Sequence, residues 1–70
     1  MKYVVVYEKA VHNYSAYVPD LPGCVATGKT QDEVARNIRS AMAFHLEGLR
    51  KERQAIPTPR AWVESVEAVV

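Results

Sequence analysis

The sequence predicts an α+β domain of order β-β-β-α-β, and three observations carry that prediction. The chain opens on a run of β-branched and aromatic residues, Lys2 to Glu8. A helix-start box at Thr30–Glu33 introduces one apolar stripe of helical period. Proline-rich turn chemistry, "PDLPG" and "IPTPR", interrupts the chain before and after that helix. One amphipathic helix covers only one face of a small sheet. A helix between the third and last strands permits a right-handed crossover.

The first strand, Lys2 to Glu8, carries Tyr3, Val5 and Tyr7 on one face and Val4 and Val6 on the other. A strand apolar on both faces is expected to be central, or to have its second face covered by another subunit. Lys9 to Asn13 connects it to a second strand, Tyr14 to Val18, most simply as an antiparallel hairpin. In Pro19-Asp20-Leu21-Pro22-Gly23, proline presets φ, Asp20 is placed to bond its own backbone, and Gly23 supplies positive φ. Cys24 to Gly28 follows as a short third strand.

"TQDE" then forms a capping box, with the Thr30 hydroxyl accepting from the Glu33 amide and the Glu33 carboxylate reaching back to that of Thr30. Val34, Ile38, Met42, Leu46 and Leu49 make the stripe, and Arg36, Ser40, Glu47 and Lys51 fall opposite. Ile56 to Arg60 cannot continue the helix. "AWVESVEAVV", Ala61 to Val70, reads as a last strand or a short helix, and its valines favour the strand.

A chain of 70 residues is expected to be a single domain, 1–70. Cores of this size are marginal and are commonly supplemented by disulfides, metals or association. One cysteine makes no internal disulfide, and Cys24, His12 and His45 lack a zinc spacing, so association is the expected supplement. A net charge of +1 gives no bulk electrostatic case for nucleic acid or acidic lipid. There is no membrane-length apolar run and no signal peptide, and a lone thiol fits the cytoplasm.

Few residues invite a chemical role. Cys24 has no local base, which makes it a small core hydrophobe rather than a nucleophile. Gly23 to Gly28-Lys29-Thr30 satisfies the spacing of a phosphate loop, but the intervening "CVAT" is small and β-prone, and prolines interrupt the strand such a loop needs before it. The carboxylates are scattered or explained by the cap, with no set to hold two metals. His45 sits at the margin of the stripe as a packed residue. Phe44 lies away from it among polar residues, a candidate contact anchor. No catalytic, metal or cofactor site is expected. Tyr3, Val5, Tyr7 and Phe44 are the candidate partner or oligomer contacts, and a homodimer or higher even oligomer is the expected assembly.

The whole of "YVPDLPGCVATGKTQDEVARNIRSAMAFHLEGL" resembles the HicB family of bacterial antitoxins. Pro19 to Cys24, Gly28, Thr30, Glu33, Ala35, Asn37, Ile38 and the "HLEGL" of His45 to Leu49 carry the resemblance. It implies a partial ribonuclease-H-like fold without nuclease activity, and association into dimers or larger oligomers. It also implies neutralisation of a HicA-type toxin, a small RNA-cleaving protein, by direct contact. Many members carry a C-terminal DNA-binding segment. Here the predicted last strand runs into "SVEAVV" and leaves no room for one, so DNA binding is not among the expectations carried over. An orphan HicB-like oligomeric module with a different partner or ligand is the alternative. A residual nuclease is the third reading, opposed by the missing carboxylate cluster.

Overall fold

The structure is a computed structural model and describes residues 1–70. Chain order is β1 (Val6–Lys9), β2 (Tyr14–Tyr17), β3 (Val25–Gly28) and α1 (Gln31–Lys51). The strands form an open antiparallel meander, β1-β2-β3, with Val6 opposite Tyr17 and Tyr17 opposite Val25. α1 lies across β3 and β2 but not over β1. The α+β class and the one-faced helix are therefore present, in an arrangement consistent with a partial ribonuclease-H-like fold.

The core is made by Ala16, Val18, Leu21, Cys24, Val34 and Ile38, with Tyr3, Val5, Tyr14, Ala26, Ala41, Met42 and Leu46 packed around it. Leu21, wholly buried, belongs to no strand. Two consecutive turns fold it inward: its amide donates to the Val18 carbonyl at 3.0 Å, and its own carbonyl accepts from the Cys24 amide at 3.0 Å. Gly23, at φ +85, supplies the left-handed step that closes the second turn. Asp20 does not bond its own backbone as expected. Its carboxylate reaches 40 residues along the chain to accept from the amides of Arg60 at 2.8 Å and Ala61 at 2.9 Å.

The helix starts at the predicted cap, where Thr30 Oγ1 accepts from the Glu33 amide at 3.0 Å. The Glu33 carboxylate reaches one residue further back than expected, to the Lys29 amide at 3.2 Å. At the far end the Gln54 amide donates to the Leu49 carbonyl and the Arg53 amide to that of Arg50, with Arg53 at φ 56. This is a Schellman stop with arginine in the seat that glycine usually takes.

Three expectations about the strands are corrected. β1 is shorter than predicted, and it is an edge strand rather than a central one. Extending its register would set Val4 opposite Pro19, which has no N–H to give to the ladder. The predicted last strand, Ala61 to Val70, does not form, so the observed order is β-β-β-α. A strand needs a hydrogen-bonding neighbour, and this segment leaves the body after Ala61 instead of lying along it.

Candidate partner-binding surface

Alternation along the strands divides the sheet into two faces. Ala16 and Ala26 face α1, and their neighbours Tyr17 and Val25 face away from it. The register therefore sets Val6, Tyr17 and Val25 side by side on the face that α1 leaves open. Tyr17 is 41% and Val25 64% exposed, while Val6 is half-buried. Three adjacent strands thus carry a contiguous apolar row on the face that α1 leaves open, exposed at Tyr17 and Val25 and half-buried at Val6.

On the other face an open cleft of about 540 Å³ separates β1 and β2 from the first turns of α1. It exists because α1 stops short of β1. Tyr7, Tyr14, Val34 and Ala35 provide its apolar lining, and Glu8, Lys9, Gln31 and Asp32 its polar rim. No three His, Cys, Asp or Glu side chains converge anywhere in the chain. Cys24 is buried, and that burial pushes its thiol pKa above the ordinary value. A thiol held protonated in an apolar seat is a poor nucleophile. Gly23 to Thr30 is no amide nest: Val25–Gly28 is a strand paired to β2. The arrangement offers surfaces for contact rather than a set of reacting groups.

The four sequence-predicted contact residues are not brought together. Tyr3 and Val5 pack against the molecule's own core, and the Tyr3 hydroxyl donates to the Pro57 carbonyl. Tyr7, 47% exposed, stands at the mouth of the cleft. Phe44, 83% exposed, projects alone from α1. Tyr17 and Val25 were missed, because finding them requires the β2–β3 register. Counting back from Gly28 through the two turns would have set them opposite each other.

The family model of HicB-like antitoxins of bacterial toxin–antitoxin systems matches residues 3–69. The chain is 40% identical over 62 residues to a UPF0150 protein of Thermoplasma acidophilum, covering 87% of this chain and 90% of that one. It is 37% identical over 57 residues to an uncharacterised 14.9 kDa protein from the rep-hol intergenic region of Haemophilus phage HP1. That match covers 81% of this chain but 43% of the phage protein, so the chain spans less than half of that relative. Among solved structures, a HicA3 and HicB3 toxin–antitoxin complex contains a chain superposing with TM-score 0.71 at 32% identity, covering 84% of this chain and 70% of that one. No helix is long and apolar enough to cross a membrane.

Proposed function

The chain belongs to the HicB-like antitoxins of bacterial toxin–antitoxin systems, and from that membership we propose that it is a non-catalytic binding protein which neutralises a HicA-type, RNA-cleaving toxin by direct contact. The reading takes residues 1–70 as one HicB-like domain working in the cytoplasm, which suits its single unpaired thiol. Likeness to a chain of a HicA3–HicB3 complex supports the choice of partner class.

The observation that carries the reading is the unpartnered apolar row of Val6, Tyr17 and Val25. Contiguous exposed apolar surface on a small domain marks an interaction site. Tyrosine at the centre of such a row is the residue type that anchors interfaces. Tyr7 and Phe44 are the secondary contacts, being the exposed members of the sequence-derived set.

The test is inhibition of a HicA-type toxin supplied with this protein in an RNA-cleavage assay. Stoichiometric inhibition is expected. Tyr17→Asp should weaken it by at least about tenfold, roughly 1.4 kcal/mol of binding, with the folded-state circular dichroism unchanged. Cleavage that continues at full rate with the unaltered protein in excess would discard the reading.

A further inference from the structure

Residues 62–70 are detached from the body that makes them. Trp62, Val63, Val66 and Val69 are each more than 70% exposed, and the segment forms no strand. The detachment is visible in the overall shape. A compact 70-residue domain has a radius of gyration of about 11 Å, whereas this chain has 13.9 Å and a long axis of 48 Å. Up to Ala61 the chain is held, by the Asp20 carboxylate on the Arg60 and Ala61 amides and by the Tyr3 hydroxyl on the Pro57 carbonyl.

The arm's composition is that of a strand. It contains a tryptophan and four valines and has apolar side chains on both faces. It holds no Gly, Pro, Asn or Asp. Those are the residues that reverse a chain, so nothing in the arm turns it back onto its own body. Before it, Pro57 and Pro59 stiffen the departure.

The same molecule carries a vacant place for a strand. The Ala10 amide bonds the Asn13 carbonyl at 2.8 Å, which sets the phase of the β1–β2 ladder. By the alternation of an antiparallel pair, Val6 and Glu8 turn their backbone groups to β2, and Tyr7 and Lys9 turn theirs to the open edge. An open edge is a template for another strand. Lys2 and Lys9 bracket this segment, and the arm carries Glu64 and Glu67, so charge favours their meeting.

We propose that residues 62–70 of one copy add as a strand to the open edge of β1 in a second copy, and reciprocally, giving a two-fold, arm-exchanged homodimer. The occupant of the edge is thus a second copy of this chain. Exchange under a two-fold axis closes on itself and uses both arms and both edges. It leaves the outer row of Val6, Tyr17 and Val25 free, so it stands whether or not that row binds a toxin.

The full-length protein and its Val66→Pro variant are compared by sedimentation equilibrium and amide hydrogen exchange. Val66 is 76% exposed in its own chain, and proline removes a ladder donor. The expected results are a dimer at micromolar concentration, a dissociation constant raised at least about tenfold in the variant, and Tyr7 and Lys9 amides protected only in the dimer. A monomer at every concentration overturns the proposal, as does a dimer indifferent to Val66→Pro. Protection of those amides in a monomer overturns it too, because the arm would then be lying along its own β1.

Discussion

Gly28 is buried where β3 meets the start of α1, and a Cβ there would stand 2.5 Å from the Val34 amide nitrogen and 2.9 Å from its Cα. Both are backbone atoms of a fixed helix, so Gly28→Ala must push α1 off the sheet. A loss of about 2–3 kcal/mol is expected, at the upper end for overpacking, read as the urea midpoint at unchanged m. Gly28 therefore earns its place by close approach, and the phosphate-loop spacing around it is incidental. Cys24 makes a second residue-level test. With its thiol buried and its pKa raised, it should react with a disulfide reagent at pH 8 only as fast as the domain opens. Labelling as fast as in urea would place the side chain outside the core. What was legible in the sequence at this scale was type: a core cysteine, a positive-φ glycine, a capping threonine. The partner of Asp20 was not, because a carboxylate in a turn gives no sign that its acceptor oxygen will be used 40 residues away.

At the scale of elements, both ends of α1 can be tested by single substitutions. Thr30→Ala removes the oxygen that accepts from Glu33 and should cost about 1 kcal/mol. Arg53 sits in the left-handed region, where a side chain costs about 1–2 kcal/mol. Glycine relieves that strain but adds about 0.5–1 kcal/mol of chain entropy to the unfolded state. Arg53→Gly should therefore raise stability by about 0.5–1 kcal/mol, seen as a higher Tm; a lower one would mean that the arginine side chain holds the stop. Helix and meander were legible because capping and periodicity are local signals. The edge position of β1 was not, because a run apolar on both faces is equally the mark of a central strand. Pro19 decided where its pairing ends, and that follows only from a register that no single strand encodes. The last strand failed for a related reason: β-propensity without a neighbour leaves an extended arm.

Asp20 acts at the scale of the whole molecule, tying the turn after β2 to the departure of the arm. The Ala61 amide first, and the Arg60 amide second, hold its carboxyl below the ordinary value of 3.8. A depressed folded-state pKa means that the tie is fully present above the ordinary value and is lost as pH falls through the folded one. Exchange protection of the Arg60 and Ala61 amides should therefore hold from neutrality to below the ordinary value of 3.8 and be lost only as pH falls through the depressed folded-state value. Asp20→Ala should abolish it at every pH. Protection that is indifferent to both changes would show the arm's root to be held by something else. Of the contact surface, the sequence made Tyr7 and Phe44 legible as unplaced apolar residues. The outer row became visible only when three strands were set in register, since Tyr17 and Val25 are eight positions apart and belong to different turns of the meander.

Every strand pairs with the one made just before it, and α1 packs on the last two. The core draws on no residue later than Leu46. Such local topology folds fast, and domains fold as units while synthesis proceeds. The body of this molecule can thus close without its arm, so that a newly folded chain presents a receiving edge to its neighbours before its own arm has been placed.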